Sequence, residues 1–363
     1  PATDDHSAHD PDEDFVGPIL KWVVGAAACG DAYPELRYNL HQLMGLPPFT
    51  TNLPDDSFRR MRRLAKKEMM RLGARLQTEF HDQRQADSAG LTVLGLVSSS
   101  PHGADGMTQG ADGAVHMPDW AWSDEEEKVW AHVLILIGIA IRDRFHRRVE
   151  STVQRMLGNG SYDGFVPHPV KPYRTMVRSM DTLDEDKERP RSNANLDVVG
   201  CTVTLPAVEN MPHVLQALQQ EFGECVGFVN DYDLTEEQAA EIYHQRKLTI
   251  YIIFKPSKDK EPHGRLTYND MTIDRRVQSQ WSAYASQPAH LDGEPRARRS
   301  SHVKRAINLL RSSQYGPVEV GMVCQVELMT ESASDTRELS RELLKIADAP
   351  DQRALLLEFD PRS

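Results

Sequence analysis

The spacing of apolar residues changes near the middle of this chain. Before about residue 160 they recur every three to four positions, as on a helix face; beyond it they also alternate every second position, as along strands. Asp55 to Asp82 reads as a helix, with Phe58, Met61, Leu64, Leu72, Leu76 and Phe80 in an apolar stripe and Pro54 and Asp55 at its start. A longer helix follows. Ser123 with Glu126 makes a capping box, Asp124 to Glu127 suit the helix N-terminus, and Gly158 closes the other end, which predicts about 34 residues and roughly 50 Å of helix. Its centre, Val129 to Ile141, is apolar all round and carries one polar residue, His132. Such a helix needs cover on several sides, from its own domain or from a neighbouring subunit. The run is shorter than the roughly 20 residues that cross a bilayer, so no transmembrane segment is expected.

The second half alternates strands and helices. Leu196 to Leu205 reads as a buried strand in which Val199, Cys201, Val203 and Leu205 share a face with Asp197. A helix from Met211 to Phe222 follows, with Pro212 in its first turn, then a short strand, Cys225 to Val229. Thr235 with Gln238 opens a short helix, and Arg246 to Phe254 is a strand alternating Leu248, Ile250, Ile252 and Phe254 with Lys247, Thr249 and Tyr251. Lys255 to Arg299, rich in Pro, Asp, Ser and Arg, predicts an insertion carried on the surface. Ser301 to Arg311 is helical, Val318 to Met329 is a second long strand, and Ser334 caps a last helix through Ala347, with Leu339, Leu343 and Ile346 as its buried stripe. The sum is an α+β fold: a mixed β-sheet flanked by helices, with an α-helical N-terminal extension. The expected organisation is an extension over 1–122, a connecting helix over 123–158, an α+β domain over 160–349 with the polar insertion 255–299, and a tail over 350–363. Ser98 to Asp119, rich in Ser, Gly, Asp and His, reads as a mobile loop.

Charge and chemistry narrow the classes. With 54 acidic and 42 basic residues the net charge is −12, which argues against generic coating of nucleic acid. One dense basic patch stands out, Arg59, Arg60, Arg62, Arg63, Lys66 and Lys67, which reads as a solvated helix face or as a contact for RNA, anionic lipid or an acidic subunit. The 4 cysteines, Cys29, Cys201, Cys225 and Cys324, show no CxxC spacing, so neither a cysteine zinc site nor a disulfide framework is expected. There is no glycine-rich phosphate loop, no nucleophile elbow and no His-x-x-x-His pair. His102 and His116 lack ligand spacing; His168, His213, His244 and His263 fall in loops or at helix ends, where solvated histidine is the expectation. A first residue Pro1 in place of Met fits removal of a targeting segment or trimming of a disordered end.

From about Val170 to Ala347 the order of elements resembles the alarmone synthetase domain of the RelA/SpoT-like family, a nucleotidyltransferase-like fold. The residues carrying the resemblance are Lys171 to Arg178, Leu196 to Gly200, Arg246 at the head of the middle strand, and Cys324 to Leu328 in the last. The resemblance implies a basic helix around donor ATP phosphates, a strand aspartate and a last-strand glutamate on magnesium, and an aromatic ring on guanine. On these positions Lys171, Arg174, Arg178 and Arg246 would bind phosphate, and Asp197 and Glu327 would hold the metal in an active protein. The chemistry is pyrophosphate transfer, which needs cations about its oxygens and a metal held by paired carboxylates.

Three departures break that pattern. Where the family has glutamate, a spacer and glutamine, this chain has Gln325, Val326 and Glu327, which moves the carboxylate about 6.6 Å along the strand. The arginine expected after the strand aspartate is absent, Gly200, Cys201 and Thr202 standing there. Gln245 holds the usual place of the stacking tyrosine, with Tyr243 nearby in another local frame. The expectation is therefore a noncatalytic subunit on a degenerate RelA/SpoT-like domain, a pseudoenzyme with no cofactor, packed against other protein subunits of a larger assembly. A mitochondrial ribosome or an energy-transducing membrane complex suits that role; the cytoplasm is the alternative address. The competing expectations are an ATP-dependent pyrophosphokinase or other nucleotidyltransferase with a rearranged site, using magnesium and ATP or GTP, and a nucleotide or RNA binder without turnover.

Overall fold

A computed structural model describes residues 55–86, 109, 115, 122–158, 163–181, 189–258, 261–287 and 294–348. In chain order these form α1 (Asp55–Ala86), α2 (Asp124–Leu157), β1 (Phe165–Pro167), α3 (Tyr173–Asp181), β2 (Gly200–Leu205), α4 (Asn210–Phe222), β3 (Gly227–Asn230) and α5 (Glu236–Glu241). There follow β4 (Leu248–Phe254), β5 (Ser257–Lys258), β6 (Glu261–Arg265), α6 (Tyr268–Ile273), α7 (Arg275–Ala285), α8 (Arg296–Leu310), β7 (Met322–Thr330) and α9 (Glu331–Asp348). They fall into two units, one holding α1, α5 with the turn through Gln245, and α9, the other holding the remaining elements. The expected boundary at residue 160 is thus replaced by an interleaved division: α5 and α9 group with α1.

In the first unit the stripe on α1 does what its spacing predicts. Ala65, Met69 and Leu72 pack with Leu343 and Ala347 of α9, and Tyr243 and Leu344 close the cluster. Leu76 and Phe80 are buried as well, while the side chains of Phe58, Met61, Leu64, Leu339 and Ile346 lie outside the described residues. α9 starts at Glu331, so Ser334 lies within its first turn and does not cap it. Arg62 Nε donates to the Ala347 carbonyl at 3.2 Å, and Gln245 Nε2 to Ser340 Oγ at 2.8 Å. Gly73 is the tight point: a β-carbon there would stand 2.6 Å from the Tyr243 carbonyl oxygen. Tyr243 and His244 both hold positive φ, 52° and 56°, a region non-glycine residues keep only where the surroundings fix it.

The second unit is a mixed five-stranded sheet, in the order β1-β2-β7-β4-β3, with helices around it; β2 and β7 run parallel and the other neighbours antiparallel. β4 and β7 pair Leu248 with Leu328, Ile250 with Val326, Ile252 with Cys324 and Phe254 with Met322, which gathers the expected apolar positions on one face. α4 lays Met211, Val214, Leu215 and Leu218 into the core. Phe145 of α2, Phe222 of α4 and Phe254 of β4 join at ring separations of 5.5 to 6.3 Å.

α2 spans 34 residues, capped by Ser123, whose Oγ accepts from Glu126 N, and closed by Gly158. Every residue from Val129 to Ile141 except Ile139 is buried, and the elements against the helix, α3, α4, α7 and α8, belong to its own unit. Gly138 lets the backbone approach the turn before β2: a β-carbon would lie 3.1 Å from Val199 and 3.2 Å from Val198.

Several expected elements shift. β2 begins at Gly200, and Asp197 sits in the turn before it, where Leu196 N bonds to the Ala194 carbonyl and no ladder forms. β7 begins at Met322, not Val318, and β3 is Gly227–Asn230. Lys255 to Arg299 is no surface insertion: it forms the β5-β6 hairpin, α6 and α7, and buries Leu266, Tyr268, Met271, Val277, Trp281, Tyr284, Glu294 and Arg299. Within the expected loop 98–119 the two described residues, Gln109 and Val115, are buried. Gln109 Nε2 donates to the Asn195 and Val323 carbonyls and its Oε1 accepts from Val323 N, extending the ladder at the start of β7.

Alanine in a helix interior usually gains about 1 kcal/mol over glycine. With a backbone carbonyl in the way, Gly73→Ala is expected to cost about 1–3 kcal/mol instead, read as a lowered midpoint in urea unfolding of the full chain.

Candidate functional site

Period two puts Gly200, Thr202 and Thr204 on the polar face of the sheet beside Gln325 and Glu327 of β7 and Thr249 and Tyr251 of β4. Thr202 faces Glu327 across the parallel pair, and Glu327 is 3% exposed. Such a carboxylate needs a counter-charge. Lys247 Nζ provides it with a short contact to Oε1, while Thr202 Oγ1 donates to Oε2 at 3.3 Å and is itself 2.8 Å from His168 Nε2. Lys247 also faces Asp231, whose carboxyl is pushed up to about 6 by burial first, with Glu327 adding to the rise and Lys247 and Arg246 opposing it.

Asp197 is held separately. Its Oδ1 accepts from Lys171 Nζ at 2.7 Å, and the turn is pinned by Lys171 N on the Val198 carbonyl at 3.0 Å. Arg174 and Arg178, expected with Lys171 to bind phosphate, are carried on α3, whose buried residues are Tyr173, Met176 and Met180. Between the two carboxylates stands Tyr251, opposite Gln325; burial first, then Asp197 and Glu327, push its phenol up to about 12. Arg246 is buried too. Its Nη1 donates to the carbonyls of Asp231 at 3.0 Å and Leu234 at 2.9 Å, so it ties the turn after β3 and does not stand open for phosphate.

Of the expected site residues, then, Glu327 lies in a polar cluster with Thr202, Lys247, Asp231 and His168, which were not expected there, and Asp197 lies with Lys171 in another place. Gln325 is half-buried in the row between them. On α1, Arg59, Arg63, Lys66 and Lys67 are exposed and Arg62 is half-buried; the side chain of Arg60 lies outside the described residues, as do Cys29, His102 and His116.

A second polar centre was not foreseen. His132 of α2, Glu294 just before α8 and His302 of α8 are all buried, with their ligand atoms within 4.8 Å of one another. His132 Nε2 is 3.0 Å from Glu294 Oε2 and its Nδ1 2.9 Å from Tyr284 Oη; the ring stacks on Tyr173 at 4.4 Å. His302 Nδ1 is 2.7 Å from Glu294 Oε1, and its Nε2 2.6 Å from Glu125 Oε1. Glu125 is held below the usual carboxylate range by the bond from His302, and Glu294 is drawn below it by the two imidazoles against the opposing effect of burial. Arg299 donates to the Gln287 carbonyl at 2.8 Å and the Glu294 carbonyl at 3.2 Å, with Nε 3.9 Å from Glu294 Oε2. One signal in the sequence pointed here: a histidine inside an otherwise apolar helix centre must find polar partners.

Because the Asp231 carboxyl sits above its unfolded value of about 3.9, the stability it contributes is complete below that value and lost as pH rises through about 6. Asp231→Asn is therefore expected to leave stability near pH 4 unchanged and to raise it by about 1–2 kcal/mol at pH 7, allowing for solvent screening. Urea unfolding at the two pH values checks it.

No protein-family model, curated protein or solved structure matches this chain, so the functional reading stands on its residues and their geometry.

Proposed function

We propose that this chain is a noncatalytic subunit that docks onto an anionic partner in a larger assembly, built on a RelA/SpoT-like fold whose metal and phosphate positions have been closed by the protein's own groups. The observation behind this reading is that each carboxylate of the former metal pair has a lysine of its own, Lys171 on Asp197 and Lys247 on Glu327. An ammonium placed there takes up the charge a magnesium ion would neutralise and leaves no shared position for one. Arg246, the remaining phosphate candidate, spends its guanidinium on backbone carbonyls.

The cover on α2 comes from its own unit, so the partner surface is sought elsewhere. On α1 the exposed residues Arg59, Arg63, Lys66, Lys67 and Met70 recur at helical spacing on one face, and Met70 is 67% exposed. A basic stripe with an apolar side chain in it suits an acidic protein surface, RNA or anionic lipid. A mitochondrial assembly remains the proposed setting, the cytoplasm the other.

One observation favours a second reading, a nucleotidyltransferase with a rearranged site. Asp231, pushed up to about 6 by burial, lies beside Glu327, and a carboxyl with a raised proton affinity is what acid–base chemistry uses.

Fluorescent ATP and GTP analogues separate the two. The noncatalytic reading expects no magnesium-dependent binding by the full chain, and native complexes that lose this subunit when Arg59, Arg63, Lys66 and Lys67 are all changed to Glu. Tight binding that needs magnesium and disappears in Glu327→Gln would reverse the conclusion.

A further inference from the structure

We propose that His132, Glu294 and His302 form a binding site for one divalent transition-metal ion of the zinc type. The three come from distinct parts of the second unit, the buried centre of α2, a position two residues before α8 and the middle of α8, and all three side chains are buried. Their ligand atoms already converge within 4.8 Å, with the two close pairs at 3.0 and 2.7 Å. A tetrahedral ion bound at about 2.0–2.2 Å sets neighbouring ligand atoms about 3.3 Å apart. The two close pairs, which use different oxygens of Glu294, part by about 0.3 and 0.6 Å, and any wider separation within the 4.8 Å limit closes to match.

The surrounding shell is the second, independent observation. A ligating imidazole is ordinarily fixed through its other nitrogen. Here both are: Tyr284 Oη holds Nδ1 of His132 at 2.9 Å, and the Glu125 carboxylate holds Nε2 of His302 at 2.6 Å. Stacking on Tyr173 fixes the plane of the His132 ring. Two imidazoles and one carboxylate suit zinc and its neighbours; magnesium, which prefers oxygen ligands and water, is disfavoured.

The protons balance. Carboxylates only accept, so without an ion His302, facing Glu294 on one side and Glu125 on the other, carries a proton on each nitrogen. Metal at Nδ1 displaces one of them to solvent. At His132 the proton given by Nε2 to Glu294 moves to Nδ1, where it is donated to Tyr284 Oη, and Nε2 is freed for the ion. Three protein ligands leave one position for water. Arg299, with Nε 3.9 Å from Glu294 Oε2, is the opposing charge. It lowers the affinity below that of a site with no cation beside it.

The test uses the full chain, stripped with a chelator, dialysed into metal-free buffer and titrated with zinc against a chromophoric chelator. One equivalent is expected to bind. Glu125→Gln, a change at an outward carboxylate in the first turn of α2, is expected to weaken it about 10–100-fold, as loss of such a supporting group does. His302→Gln is expected to abolish it. Cobalt(II) in place of zinc should give the visible absorption of a four-coordinate ion, absent in His302→Gln. The proposal is overturned if the unaltered chain retains no zinc, or if zinc binds it and Glu125→Gln equally. Should His302→Gln fail to fold, Glu125→Gln and the cobalt spectrum decide alone. The nucleotide experiment and this one are independent, so either reading can fall while the other stands.

Discussion

A helix buried along its middle must satisfy, inside the protein, each polar group it carries, and that constraint on α2 arranges most of the second unit. An unmet buried donor or acceptor costs about 1–3 kcal/mol, more when charged. Three groups on α2 impose it. Glu127 accepts from Arg191 N and Nη2, both at 2.7 Å, which fastens the turn ahead of β2 to the start of the helix. His132 draws in Tyr284 of α7 and Glu294 ahead of α8. His146 Nε2 donates to the Gly200 carbonyl at 2.8 Å; burial holds this imidazole below its ordinary range, so it serves as a neutral donor at the first residue of β2. Apolar contact alone would let α2 slide or rotate; these bonds fix its register against the sheet.

The sheet then inherits a polar face whose charges are settled locally. β2 and β7 run parallel with Thr202 opposite Glu327, so the strand position that faces the last-strand carboxylate holds a hydroxyl, and Asp197 is left back in the turn. The two acidic groups therefore meet different cations. Removing one member of a buried ion pair is far more costly than never having it, because the survivor keeps its desolvation penalty. Once Lys247 is present, Glu327 and the lysine hold each other in place.

The helices α1, α2 and α4 were legible in the sequence, within four residues at their ends, because caps and a 3.6-residue period act locally. So was the alternation in β4 and β7 that builds the apolar face. The start of β2 was not. Leu196 to Val199 is as apolar as a strand, yet its backbone bonds run to a turn, to Lys171 and, from Val199 alone, to Gln325 of β7, and an apolar run does not say whether it is buried as ladder or as turn. Lys255 to Arg299 conceals its buried face for another reason. Its average composition is polar, but Val277, Trp281 and Tyr284 recur at helical spacing, and three large side chains suffice to bury one face of α7. The grouping of α9 with α1 depends on contacts far apart in the chain, beyond local pattern. The same holds for His132, Glu294 and His302, whose convergence no spacing rule could disclose.

The two polar centres differ in how firmly their geometry is held. On the sheet face the cations reach their carboxylates on lysine stems, which carry about 2 kcal/mol of rotamer freedom and adapt to whatever lies beside them. At the α2–α8 centre two of the three groups are imidazole rings with few torsions, both buried and bonded at both nitrogens, that of His132 also stacked on Tyr173. A metal ion bound near 2 Å tolerates little movement in its ligands, whereas neutralising a charge asks only for proximity. The lysine cluster is therefore suited to closing a site. The imidazole cluster has the rigidity to be one, and it sits where the constraint on α2 is strongest.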